Sequence, residues 1–309
     1  MKVFIDANGT ENYRWIDARF DLKDPQSGKS LYEKGHVEGA IYWDLEEDLS
    51  DMASTAGRHP MPNKDKIAEL IHASGLNLKD QVVVYDQGGA PFAARAWWLL
   101  KYAGFENAFI SRLGFDGLKQ QGIKVSTEVP IYERTETAMD FKDPLYADQD
   151  YVKKIISGDE LGVLVDARSA ARYAGIEEPI DPVAGRIPGA RNFDWEQLVE
   201  DRRFKGEVDF SGVLQKHEPA IIYCGSGVSA AALYAKLSEQ GHDAIKLYTG
   251  SFSDWIIDES NVVEFDREDH PKAANDETKA ILARLIEEGY SGEMLMKKFE
   301  YEKSLLNEK

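Results

Sequence analysis

The chain reads as two tandem α/β domains, each a mainly parallel sheet flanked by helices, followed by a helical C-terminal extension. Three observations predict this: an internal repeat, short strands that are apolar on consecutive residues, and helical segments alternating with them. In the repeat, Trp15-Ile16-Asp17-Ala18-Arg19 is answered by Leu164-Val165-Asp166-Ala167-Arg168, an offset of 149 residues. Val37-Glu38-Gly39-Ala40 pairs with Ile187-Pro188-Gly189-Ala190, and Tyr42-Trp43-Asp44-Leu45-Glu46 with Asn192-Phe193-Asp194-Trp195-Glu196, both at 150. The stretch from Val82 to Gly89 then pairs with that from Ala220 to Gly227 at 138, so the second copy is shorter in its middle. Four matches in one order place one domain at 1–125 and a second at 147–265, joined by a linker at 126–146 and followed by an extension at 266–309.

The elements follow in order. Val82–Tyr85, Val163–Val165 and Ala220–Tyr223 are apolar without alternation, as strands covered on both faces are. A helix over Ala93–Tyr102 follows the first and ends before Gly104. Another over Val228–Gln240 follows the third and ends at Gly241, a residue suited to the left-handed position after a helix. The linker, with Pro130, Pro144 and mixed charges, has no sustained period and is expected to be extended. In the extension, Asn275 or Asp276 is placed to cap a helix that Gly289 stops. Ser291 is placed to open another, carrying Met294, Leu295, Phe299, Leu305 and Leu306. Its amphipathic spacing predicts packing on the second domain in preference to a dimer contact.

Composition narrows the function. The 309 residues carry 37 Lys and Arg against 55 Asp and Glu, a net charge of −18. Such a balance argues against nucleic acid and anionic membrane surfaces as partners, and leaves small molecules or proteins. The chain is long enough for two self-sufficient cores. No apolar run approaches the ~20 residues of a membrane span. The start, Met1-Lys2-Val3-Phe4-Ile5-Asp6, is too short and too soon acidic for a signal peptide, so a cytoplasmic protein is expected. One cysteine, Cys224, excludes a disulfide within the chain. The six histidines are scattered without zinc-like spacing, and neither a metal nor a cofactor is expected.

Cys224 is the sharp signal. Ligands of open parallel sheets bind at the carboxyl ends of strands, and Cys224 ends one, immediately before Gly225-Ser226-Gly227 and a helix. Glycines let successive N–H groups converge on one point, and the helix adds its positive N-terminal end. Such a nest favours an anion and is expected to hold the cysteine as thiolate.

These residues resemble a family. Cys224-Gly225-Ser226-Gly227-Val228-Ser229-Ala230, Gly250-Ser251-Phe252-Ser253-Asp254-Trp255 and Gly185-Arg186-Ile187-Pro188-Gly189-Ala190 look like those of the two-domain rhodanese sulfurtransferases, over about residues 14–265. The resemblance implies two rhodanese-like domains, of which the second is catalytic and the first has lost its cysteine; Asp86 stands there. It implies that Cys224 takes a sulfane sulfur from a small anionic donor, thiosulfate or 3-mercaptopyruvate, and passes it to a thiol or cyanide. Gly225, Gly227, Val228 and Ser229 would line the anion nest, with Ser229 foremost a first-turn helix residue or cap.

The loop resembles the mercaptopyruvate branch and has no basic residue of the kind that thiosulfate branches carry at its start. Of the two arginines that grip a mercaptopyruvate donor, Arg172 matches the first. Ile180-Asp181-Pro182 stands in place of the second, and Arg186 occupies a position usually held by histidine. Arg186 either supplies the missing charge or pairs with a neighbouring acid. The same resemblance implies a relay from Ser226 to His59 and an acid, matched by Glu46. Glu46 has a counterpart, Glu196, in the second copy and is weaker for it. The Asp17-Arg19 and Asp166-Arg168 repeats are expected to be fold-holding ion pairs, and Trp255 a core residue. A cysteine phosphatase would need arginine where Ala230 stands. The alternative to an enzyme is a persulfide carrier or partner-binding scaffold without turnover.

Overall fold

The computed structural model describes residues 2–7, 9–10 and 12–266, and beyond them residues 281, 284, 285, 290, 295, 297–299, 301 and 302. In the first half the order is β1 (Phe4–Ile5), β2 (Arg14–Asp17), α1 (Ser27–Lys34), β3 (His36–Val37), β4 (Ile41–Tyr42), α2 (Lys64–Ala73), β5 (Val82–Tyr85), α3 (Phe92–Tyr102), β6 (Ala108–Ser111), α4 (Phe115–Gln120) and β7 (Val125–Ser126). The second half runs β8 (Tyr146–Ala147), α5 (Gln149–Ser157), β9 (Val163–Asp166), α6 (Ala170–Tyr173), β10 (Arg191–Asn192), β11 (Val199–Glu200), β12 (Arg203–Phe204), β13 (Ala220–Tyr223), α7 (Ser229–Glu239), β14 (Ile245–Tyr248) and α8 (Ser251–Trp255).

Each half builds a five-stranded sheet. The orders are β1-β6-β5-β2-β4 and β8-β14-β13-β9-β10, strand for strand the same topology. Every pairing in both is parallel. The central strands β5 and β13 are buried along their whole length, which is why they read as continuous apolar runs. Register repeats too: Asp17 lies opposite Tyr85, and Asp166 opposite Tyr223.

The repeated Asp-x-Arg is the expected fold-holding pair. Arg19 Nη2 meets Asp17 at 2.6 Å and the Gly35 carbonyl at 2.7 Å; Arg168 Nη2 meets Asp166 at 2.7 Å and the Gly185 carbonyl at 2.6 Å. All four side chains are buried. Each arginine ties a sheet strand to the loop that crosses it, and removing one partner would strand a buried charge at a cost of about 3–5 kcal/mol.

The halves share a core. One apolar cluster runs from Ile16, Val84 and Trp98 in the first half to Ile222, Ala231 and Leu233 in the second. At its centre α3 packs on α7, with the Trp97 and Trp98 rings each 6.4 Å from the Tyr234 ring. Residues 127–142 form neither helix nor strand. They lie along the first half, with Tyr132 Oη donating to the Gly39 carbonyl at 2.8 Å and the Lys142 N–H to Tyr102 at 2.8 Å.

Of the residues expected to shape the extension, Asn275, Asp276, Gly289, Ser291, Met294, Leu305 and Leu306 lie outside the described residues. Within the described ones, Arg284, Leu285, Leu295 and Phe299 are helical, Leu285 and Phe299 are fully buried, and Arg284 pairs with Glu302. No described helix is long and apolar enough to cross a membrane.

Candidate active site

β13 delivers Cys224 to the carboxyl edge of its sheet, and α7 begins five residues later. The sulfur is buried, 2% exposed, and accepts the Gly227 N–H at 3.1 Å. The Cys224 N–H donates to Ser251 Oγ at 3.1 Å, and its carbonyl accepts from Phe252 N–H at 3.0 Å, so α8 clamps the loop from behind. Gly227 is at φ +77°, and a Cβ there would stand 2.1 Å from the Thr249 carbonyl oxygen. Only glycine fits that position and still aims its amide at sulfur. Val228 is buried ahead of α7; Ser229 opens the helix without a side-chain cap, so it is a first-turn residue and not a cap.

The other side of the site comes from the first half. The segment Gly57-Arg58-His59 reaches across to the turn at 250–254, where the Arg58 N–H donates to Ser253 Oγ at 3.1 Å. Gly57 permits the approach: a Cβ on it would lie 2.8 Å from that hydroxyl. His59 Nδ1 then sits 2.8 Å from Ser226 Oγ, and the Glu46 carboxylate lies 3.9 Å from Nε2. Burial, reinforced by Arg58 and Arg95, holds the imidazole below its ordinary pKa against the pull of Glu46. A neutral ring with its proton on the Glu46 side leaves Nδ1 free to accept the Ser226 hydroxyl proton. Glu46 is thus at the site, while Glu196, its repeat counterpart, is exposed; the weaker standing that the repeat suggested for Glu46 is corrected.

Arg172 and Arg58 cover the loop. Both guanidinium groups come within van der Waals reach of where a Gly225 Cβ would be, at 3.3 and 2.5 Å. Arg58 pairs with Asp181, and Arg172 Nη2 binds Asp181 at 2.9 Å and Glu178 at 2.8 Å. With Arg168 joined to Asp166 and Glu178, three arginines face three carboxylates, and the cluster is electrically balanced. Burial and the neighbouring Arg172 bring the Arg58 guanidinium down to about 10, so it stays charged at neutral pH.

Arg186 does not join them. Its Nη2 meets Glu264 at 2.5 Å and Asp266 at 2.7 Å, and its guanidinium lies 4.3 Å over the Tyr173 ring. Two carboxylates balance its charge, and it pins residues 264–266 to the second half; of the two readings of Arg186, pairing with neighbouring acids is the one the structure shows, and its place among the donor-binding residues is corrected. The second arginine beside Arg172 is Arg58, from the other half of the chain. Its only sequence signal is adjacency to His59. Trp255 is buried, with its indole N–H on the Val262 carbonyl at 2.9 Å, as expected of a core residue.

The first half keeps the outline of this loop without its chemistry. Asp86 stands where Cys224 does, its carboxylate accepting the Gly88 N–H at 2.7 Å and the Ala93 N–H at 3.1 Å. The nest still gathers an acidic group, now an oxygen acid that cannot carry sulfur.

The sequence profile of the rhodanese-like domain matches residues 2–121 and 148–258. A probable 3-mercaptopyruvate sulfurtransferase of Pseudomonas aeruginosa is 37% identical over 253 residues, 79% of this chain and 89% of that protein. A putative thiosulfate sulfurtransferase of Mycobacterium tuberculosis is 35% identical over 256 residues, 80% of this chain and 89% of its own length. Among solved structures, the 3-mercaptopyruvate sulfurtransferase from Leishmania major superposes with a TM-score of 0.71 at 26% identity, covering 82% of this chain and 73% of that one. With the profile matched in both halves and close relatives spanning most of its length, the chain belongs to the tandem rhodanese family of sulfurtransferases.

Proposed function

We propose that the protein moves a sulfane sulfur from thiosulfate or 3-mercaptopyruvate, through a persulfide on Cys224, to a thiol or cyanide acceptor. The observation that carries this reading is the 2.8 Å contact of His59 Nδ1 with Ser226 Oγ, which unites the two halves beside the sulfur. In the first step the Cys224 thiolate attacks the donor's sulfane sulfur. The new S–S bond forms as the donor's S–S or C–S bond breaks, and its electron pair leaves on sulfite or on the pyruvate enolate. The enolate needs a proton: Ser226 hands over its own as it takes up the one carried by the donor's mercapto group, which leaves a persulfide anion, while His59 Nδ1, accepting from that hydroxyl, orients the shuttle. In the second step the acceptor attacks the outer sulfur and Cys224 leaves as thiolate, steadied by the Gly227 amide and the end of α7.

Donor binding rests on Arg172 and Arg58. A donor's carboxylate or sulfonate competes with Asp181 for both guanidinium groups, and two forks converging on one anion give bidentate selectivity. Gly225, Gly227, Val228 and Ser229 supply the backbone around the sulfur. The catalytic unit is 147–265, served by His59 from the unit at 1–125 across the linker at 126–146. We place the protein in the cytoplasm, where thiol acceptors are abundant.

Intact mass after exposure to each donor, with and without cyanide, tests the reading beside a Cys224→Ser control. One added sulfur that cyanide removes, absent in the control, is the expected outcome and names the donor. If neither donor modifies Cys224, sulfur transfer from them is overturned.

A further inference from the structure

Arg95 is the buried charge that the reading above leaves unused. It lies on α3, at the junction with α7, and is fully buried. Its Nη2 donates to the Leu49 and His59 carbonyls, both at 3.2 Å. Among the described residues, Nε and Nη1 have no hydrogen-bond partner, and no carboxylate pairs with the side chain. An isolated guanidinium is costly to bury and persists where something offsets it. Through His59, whose Nδ1 lies 2.8 Å from Ser226 Oγ, it adjoins the Cys224 loop. The acidic groups whose charge acts on it are the Cys224 thiol and the Tyr146 phenol, and burial pushes the phenol up. That leaves sulfur.

We infer that Arg95 is a positioning residue for the sulfur transfer, a counter-charge contributed by the first half that favours the anionic forms of Cys224 while its bond to the His59 carbonyl holds the relay in place. The inference rests on the sulfurtransferase reading for its purpose and on geometry for its content. The other charged groups around Cys224 do not substitute. Arg58 and Arg172 are neutralised by Asp181 and Glu178, His59 is held neutral, Glu46 lies beyond His59, and Asp254 on α8 is bonded to Tyr248. The uncompensated positive charge therefore comes from Arg95.

The test is the pH dependence of Cys224 alkylation by iodoacetamide, a neutral probe that needs no donor site. Arg95→Gln keeps a donor for the carbonyls and removes the charge; Arg95→Lys keeps the charge. The expected result is an alkylation midpoint about one pH unit higher in Arg95→Gln, roughly tenfold slower alkylation below the midpoint, and a near-normal midpoint in Arg95→Lys. An unchanged midpoint in folded Arg95→Gln, checked by circular dichroism, overturns the inference. Should that variant fail to fold, the comparison passes to Arg95→Lys and the wild type, and a midpoint raised in Arg95→Lys as well overturns it. Failure here with persulfide formation intact would leave the sulfurtransferase reading standing; loss of persulfide formation in the wild type would remove that reading and not the charge.

Discussion

At Cys224 the proposed chemistry draws on neighbours that do not touch each other in sequence. Ser226 is two residues away, but His59, Arg58 and Glu46 come from the other half, and Arg172 from a different loop. Residue types there were legible: a cysteine before a glycine loop, a histidine placed by the family resemblance, an arginine after Asp166-Ala167-Arg168. Arg58 was not, because its value depends on Asp181, 123 residues on. Arg172→Ala and Arg58→Ala each remove one fork of the proposed donor clamp, and each should raise the donor KM roughly ten- to a hundredfold. Steady-state kinetics at fixed acceptor check this. Because both guanidinium groups are proposed to hold the donor's anionic end and not the reacting sulfur, kcat is expected to change less than KM; a normal KM would take that arginine out of donor binding.

The two strand-to-helix turns, β5 to α3 and β13 to α7, are the same element with different cargo. Both aim backbone amides at an acidic atom, Asp86 in one and Cys224 in the other. Burial pushes the Asp86 carboxyl up to about 7, despite the amides that favour its charge. The folded state then holds this proton more tightly than the unfolded chain, whose carboxyl titrates near 4. Stability from this source is fully present below about pH 4 and is lost as pH rises through about 7. Asp86→Asn stays neutral throughout. Its melting temperature, relative to the wild type, should therefore rise more at pH 8 than at pH 5, by thermal denaturation at the two values; an equal gap at both would show that Asp86 is not the titrating group. The strands and helices of this element were visible from apolar runs and closing glycines, within one residue at either end for α3 and α7. The short β4, β8 and β10 were not, since two residues give no period to read.

Across the whole molecule, one core and one site straddle the same junction. Trp98 is fully buried there, stacked on Tyr102 at 5.4 Å and edge-on to Tyr234. Trp98→Ala should cost roughly 3–5 kcal/mol. It should also slow turnover, because α3 carries Arg95 and braces the His59 segment. Denaturant unfolding followed by fluorescence and by activity measures both; a loss of stability with full activity would separate the junction from the site. Repetition made the two-domain plan legible, since a duplicated sheet must repeat its apolar strands, its Asp-x-Arg pair and its turns wherever the chain goes. Local pattern therefore settled the fold class of each half and placed the one cysteine, with Asp86 at the matching position of the first copy. That Arg58 stands beside Arg172, that Glu46 and not its repeat counterpart lies by His59, and that a buried Arg95 without a carboxylate partner holds the His59 carbonyl all depended on docking one half against the other, while the pairing of Arg186 with Glu264 and Asp266 depended on the fold of the second half. Charge pairing and burial are properties of that packed junction, and they come into being when residues far apart in the chain are brought within a few ångströms.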